Sequence, residues 1–283
     1  MIHPLRTGRH RTGRPTDHWS RLSRAMTWVH RTLTLWMMLG LIATASGPGH
    51  RVKAWAQERR PVELELVLAI DTSSSVSVAD FELQKHGLSE AFRHPDVLAA
   101  IQGIGERGIA VALVQWSGNR MQRTSVDWMV LHDAASAGQF ASAIAASHRM
   151  LTGSTGLGGA IRFALTQLEE NRFDGRRKVI DVSGDGYSGI NPSRERDRAV
   201  VRGVTINGLA ILNEKPDLGE YYARHVIGGV NAFVLTVDGF EDFGQAIREK
   251  LIKEVEGLKV AGIFETMALR DSLGAVKGSE PRR

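Results

Sequence analysis

From residue 62 onward the chain alternates between two hydrophobic rhythms. Short apolar runs of strand length are separated by segments in which apolar residues return every three or four positions, the spacing of one helix face. The first run, "VELELVLAI", stops at Asp71. Beyond it Ser77 and Asp80 stand as cap and third position of a helix. Phe81, Leu88 and Phe92 share one face of that helix, which should end before Pro95. "GIAVALVQW" predicts a second strand, and residues from about 121 to 131, with "VDWMVL", predict a hairpin strand returning beside it. A helix around Phe140, Ile144 and His148 follows. Leu157, Ala160, Ile161, Ala164, Leu165 and Leu168 then mark a strongly periodic one.

"RKVIDVSG" predicts the next strand, and "PSRERDRAVVRG" a charged helix. "VTINGLAIL" contains Asn207-Gly208, a turn dipeptide in isolation, yet apolar residues flank it closely on both sides and the segment reads as a strand. "NAFVLTV" is the last strand, and Phe240, Phe243, Ile247, Leu251 and Val255 form the apolar face of a last helix. Repeated strand-helix units of this length imply an α/β fold, a doubly wound and mostly parallel sheet with helices on both faces. The pattern spans residues 62–256, and residues 257–283 lose it and read as a peripheral tail.

Charge divides the chain further. Residues 1–56 carry nine of the 36 Lys and Arg but only Asp17 of the 31 acids, which leaves 27 basic and 30 acidic residues in the body. The pI of 9.7 is therefore a property of the N-terminus, and no nucleic-acid partner is implied. "TLTLWMMLGLIATASG" follows several arginines and is shorter than the roughly 20 residues of a membrane span. "AWAQ" then offers the small-x-small pattern of a signal-peptidase site, with cleavage expected after Ala56. An exported protein, periplasmic or extracellular, is the expectation. The rival is an uncleaved N-terminal anchor in the inner membrane with the body outside, and translation could start at Met26 rather than Met1. With no cysteine, disulfides and thiolate chemistry are excluded.

Three polar clusters fall where strands end or helices begin: "DTSSS" after the first strand, "GSTGLGGAI" opening the periodic helix, and "SGDG" after "KVIDV". In doubly wound sheets functional side chains gather at the carboxyl ends of strands near the reversal of strand order. Asp71, Ser73 and Ser75 share one side of an extended segment. With Thr155 and Asp185 they make two carboxylates and three hydroxyls. Such hard oxygen donors suit Mg²⁺, with Mn²⁺ or Ca²⁺ as alternatives, and not zinc or copper.

These three motifs, in this order and on these elements, resemble the segments of a von Willebrand factor A domain with its metal-ion-dependent adhesion site. "VSGDG" and "TINGLAI" are further similar to an uncharacterised bacterial group of secreted proteins with such a domain. The resemblance implies Asp71, Ser73, Ser75 and Thr155 as metal ligands, directly or through water, and Asp185 acting through water. It also implies a protein partner whose Asp or Glu completes the metal shell. Asp181 departs from the pattern, since an apolar residue is expected there. It either extends the site or is a buried acid paired with an arginine, and the pairing is favoured.

Other readings are weaker. Gly153, Gly156, Gly158 and Gly159 could cradle a phosphate, but the Lys-Ser/Thr of a P-loop does not follow. "GIGERG" (103–108) precedes a strand instead of opening a helix and reads as a tight connection. A phosphoryl-transfer nucleophile at Asp71 would want a second carboxylate where Ser73 stands. No G-x-S-x-G elbow or placed histidine supports a serine hydrolase. Trp116 and Trp128 read as packing residues. The expected protein is thus a non-enzymatic, exported binding module. An envelope scaffold with a purely structural metal, or a metal-dependent hydrolase, are the alternatives.

Overall fold

A computed structural model describes residues 58–257 except 214. The basic N-terminal segment, expected to be a signal peptide or anchor, and the expected tail beyond 257 lie outside the described residues. None of the described helices is long and apolar enough to cross a membrane.

The elements run β1 (Arg60–Asp71), α1 (Val78–Ala91), α2 (Pro95–Gly103), β2 (Ile109–Trp116), β3 (Gln122–Leu131), α3 (Ala134–Ala146), α4 (Leu157–Glu170), β4 (Phe173–Gly184), α5 (Ser193–Val201), β5 (Val204–Ile211), α6 (Leu218–His225) and β6 (Val234–Val237). A short 3₁₀ turn at Phe240–Asp242 leads into α7, residues 243–257. Six strands form one sheet in the order β3-β2-β1-β4-β5-β6. Only β3 is antiparallel to its neighbour, the hairpin strand expected from "VDWMVL".

The alternating pattern of helices and strands folds this way because each sheet face needs an apolar cover. Leu64, Leu66 and Leu68 of β1 point to one face and pack with Phe81, Leu88, Phe140, Ile247 and Leu251 from α1, α3 and α7. Val67 and Ala69 point to the other and meet Leu157, Ile161, Leu165 and Tyr222 from α4 and α6. Burial on both faces is why β1 reads as an almost continuous apolar run. The chain leaves β1 toward β2 and β3, then returns through α3 and α4 to β4 on the opposite side. Strand order therefore reverses between β1 and β4, and a crevice opens at their carboxyl ends.

Two helices were not read from the sequence. Pro95 does end α1's segment, but it also occupies the first turn of α2, with His94 as the cap accepting from the Asp96 amide. The short α6 buries only Leu218 and Tyr222, too few positions for a visible period. Asn207-Gly208 does lie inside β5. There Asn207 donates through Nδ2 to Glu254 Oε1 (2.9 Å) and accepts the Phe233 amide (3.1 Å).

Asp181 is a buried, paired acid, but its partner is a lysine and not an arginine. Lys250 Nζ of α7 stands 2.6 Å from Asp181 Oδ1 and 2.8 Å from Glu254 Oε1. Arg177, on the same strand, instead donates to the Glu254 carbonyl (2.9 Å). α7 lays its buried edge against β4 and β5, so Lys250 rather than Arg177 reaches the acid. Burial pushes the Asp181 carboxyl up to about 7, opposed by the Lys250 ammonium and reinforced by Glu254.

Candidate metal centre

The apolar run of β1 ends at the sheet's upper edge, and the chain there must reverse into α1. Ser77 caps that helix, with Asp80 answering in a full capping box, so Ser77 is structural as expected. Between strand and cap, Asp71 and Ser73 are buried while Ser74 and Ser75 are exposed. The Ser73 amide donates to Asp71 Oδ1 (2.7 Å), and Ser73 Oγ and Ser75 Oγ stand 3.1 Å apart. All three side chains therefore gather on one side, as their spacing required.

The second and third clusters close around them. Ser75 Oγ donates to Asp185 Oδ1 at 2.6 Å. The Ser74 amide donates to the Gly153 carbonyl (2.7 Å) and ties the loop before α4 to the loop after β1. Thr155 Oγ1 lies 3.0 Å from where a side chain on Gly186 would begin, so Thr155 faces the segment that carries Asp185. Gly156 permits this approach: a Cβ there would stand 2.4 Å from the Asn119 amide nitrogen. Asp71, Ser73, Ser75, Thr155 and Asp185 thus meet at the β1/β4 crevice.

Two carboxylate oxygens in this cradle are buried without a hydrogen-bond partner, Asp71 Oδ2 and Asp185 Oδ2. Burial pushes the Asp71 carboxyl up to about 7, against hydrogen bonds from Ser73 and with the nearby Asp185 charge adding to the rise. An unpaired buried carboxylate is unfavourable, and a second one beside it more so. The donor set is all oxygen, mixed carboxylate and hydroxyl, and open to solvent at Ser75 and half-buried Thr155. These features fit a hard divalent cation. Among the described residues, no group of three or more His, Cys, Asp or Glu could hold a metal by itself, and hydroxyls must contribute.

Four side chains that sequence reasoning missed hold the cradle in place. Arg149 Nη2 donates to the carbonyls of Thr72 (2.9 Å) and Ser73 (2.8 Å), clamping the first loop from outside. Gln84 Nε2 donates to the Asp71 carbonyl (3.1 Å), and Lys215 Nζ to the Asp185 carbonyl (2.8 Å). Tyr222 is the fourth. Its buried hydroxyl, without a partner, and Asp71 Oδ2 lie 3.0 and 2.7 Å from the point where a Gly184 side chain would begin. Burial and the charges of Asp71 and Asp185 push the Tyr222 phenol well above its usual range. Three of these residues act on backbone carbonyls, which leave no trace in residue type.

Against protein families, residues 61–259 match the model described as "Protein of unknown function (DUF1194)". The chain belongs to the DUF1194 family. No curated protein matches this DUF1194 chain. Among solved structures it is similar to proximal thread matrix protein 1 from the mussel byssus, with a zinc-occupied MIDAS motif. That match has 17% identity and a TM-score of 0.50, covering 69% of this chain and 48% of that one. It is also similar to the pilus adhesin SpaC from Lactobacillus rhamnosus GG, at 14% identity, TM-score 0.51, and 69% and 30% coverage. The vWF domain of the type V pili tip protein Mfa5 from Porphyromonas gingivalis aligns at 13% identity and TM-score 0.49, over 71% and 96% of the two chains. The DUF1194 chain spans about half the length of the first of these proteins, and less of the second. At such identities the likeness is one of fold alone, and the DUF1194 body has a von Willebrand factor A-like fold.

Proposed function

We propose that the domain is an exported module that binds a protein partner through a divalent cation, Mg²⁺ by preference. Asp71, Ser73, Ser75 and Thr155 would hold the ion, with Asp185 behind them acting through water. A bound Mg²⁺ would supply a hard electrophilic point that accepts a carboxylate oxygen from outside. The proteins of similar fold include a pilus adhesin and a byssus matrix protein, which supports a binding role over an enzymatic one.

The observation that supports this reading is the pair of buried, partnerless oxygens, Asp71 Oδ2 and Asp185 Oδ2, on two loops that the Ser75–Asp185 hydrogen bond joins into a cradle open at Ser75. A merely structural metal would have loops to fasten. Here Arg149 and Lys215 already fasten the first and third loops through their carbonyls. A docking site follows better than a staple. A hydrolase would need a base beside the attacking group, and both carboxylates in the cradle are committed to the ion. Partner capture from an envelope fraction with and without Mg²⁺, with Asp71→Ala as control, tests the proposal. Capture that persists unchanged in chelator and in the variant would overturn it.

A further inference from the structure

The loops that carry Thr155 and Asp185 continue, away from the cradle, into a cleft of about 470 Å³. Its walls come from the β2–β3 loop (Asn119, Arg120), the start of α4 (Gly158, Arg162) and the start of α5 (Arg194, Glu195). Gly158 sits three residues beyond Thr155, and a Cβ on it would lie 3.6 Å from Pro192, so the cleft adjoins the cradle through one helical turn. A second hollow of about 490 Å³ shares Arg194 and Glu195 and extends the cleft along α5 past Arg198. Arg194 and Arg198 stand one turn apart on α5.

The charges in this track are unequally satisfied. Glu195 faces Arg162 at 3.8 Å, Asp197 pairs with Arg196 at 2.6 Å, and Arg202 pairs with Glu169 at 2.6 Å. These pairs engage both acids of α5, although Glu195 keeps one buried oxygen, Oε2, without a hydrogen bond. Arg120, Arg194 and Arg198 are exposed, and among the described residues none of them has an ion pair or a side-chain hydrogen bond. In a body that holds more acidic than basic residues, three unpaired guanidinium groups along one continuous groove are a concentrated positive field. Exposed Ile190 and Val201 add apolar contact in the first and second hollows.

We propose that this groove is the specificity surface for an acidic, extended segment of a protein partner, with side-chain carboxylates held by Arg120, Arg194 and Arg198 while a further carboxylate reaches the cradle of Asp71 and Thr155. The last clause rests on the function proposed above; the arginine contacts do not. Guanidinium groups favour carboxylates through paired N–H donors, and the spacing along α5 selects a segment with repeated acids over a single one. Anionic lipid offers negative charge as well, but a flat headgroup surface cannot enter a cleft that runs between two loops and a helix.

Fluorescence anisotropy of a labelled oligoglutamate peptide on the full chain, in Mg²⁺ and in EDTA, tests this. The double variant Arg120→Ala/Arg194→Ala should weaken the peptide about tenfold in Mg²⁺ and also weaken the residual binding in EDTA. Asp71→Ala should abolish only the difference between the two buffers. If the arginine effect stands but Mg²⁺ adds nothing, the cation reading fails and the groove survives. Peptide affinity unchanged in the double variant, with its melting temperature intact, would overturn the groove. So would arginine-dependent binding to phosphatidylglycerol vesicles with none to the peptide.

Discussion

Ser75 Oγ donates to Asp185 Oδ1 at 2.6 Å across 110 residues of sequence, joining the loop after β1 to the loop after β4. The bond exists because strand order reverses between those two strands and leaves their ends facing each other. Asp185's second oxygen is buried and without a partner. Removing the hydroxyl in Ser75→Ala takes away the donor to buried Asp185 and should cost about 1–3 kcal/mol of stability in EDTA, while Mg²⁺ affinity falls measurably. Chemical denaturation and calorimetry of the same variant separate the two effects.

At Asp71 function and stability should pull apart. Its Oδ2 is buried without a partner, and the Tyr222 hydroxyl nearby is equally unpaired. In Asp71→Asn the buried charge is gone and the new amide can donate into that gap. In EDTA this variant should melt higher than wild type, by about 1 kcal/mol of stability or more. In Mg²⁺ the order should reverse, since a ligand at 100 times its Kd adds about 2.7 kcal/mol to wild type alone. Thermal melts in the two buffers read both halves.

The Lys250 cluster gives a pH dependence of defined sign. Burial raises the Asp181 carboxyl to about 7 from 3.8, so between those values the folded chain keeps a proton that the unfolded chain has lost. Asp181 therefore contributes stability that is largest at low pH and falls as pH rises through that window. The difference between wild type and Asp181→Asn should trace this fall, with Lys250 and Glu254 unchanged around it. Lys250→Met leaves two buried carboxyls without their cation and should lose about 3–5 kcal/mol at neutral pH. Urea unfolding from pH 4 to 8 measures both.

Gly156 lets the loop before α4 meet the β2–β3 loop. An alanine methyl there would stand 2.4 Å from the Asn119 amide nitrogen and 2.5 Å from the Gly118 carbonyl carbon, both backbone atoms that yield poorly. Gly156→Ala should lower stability by about 1–3 kcal/mol and shift Thr155 away from Gly186, so that Mg²⁺ affinity falls with it. Retained affinity together with unchanged melting would remove Thr155's loop from the account.

Much of this is legible in the sequence, and the reason differs from place to place. β1, β2, β4 and β5 announce themselves because central strands buried on both faces need long apolar runs. α4 does so because one of its faces is fully buried. Asp71, Ser73 and Ser75 could be grouped from their spacing, and Thr155 and Asp185 from their motifs. α2 hid behind Pro95, which reads as a stop when only the preceding helix is considered and as a start when the next turn is included. α6 is short, with only two buried residues. Arg149, Lys215 and Gln84 were invisible because they grip carbonyl oxygens, which every residue has. Asp181 announced that it needed a cation, but only the packing of α7 says that the cation is Lys250, 69 positions away.

The most direct test of the central claim is calorimetric titration of the full chain with Mg²⁺, repeated on Asp71→Ala. One ion bound per chain by wild type and none by the variant, with both proteins folded by circular dichroism, is the expected result. No binding to wild type, or the same binding to both, would contradict the assignment of the cradle as a cation site.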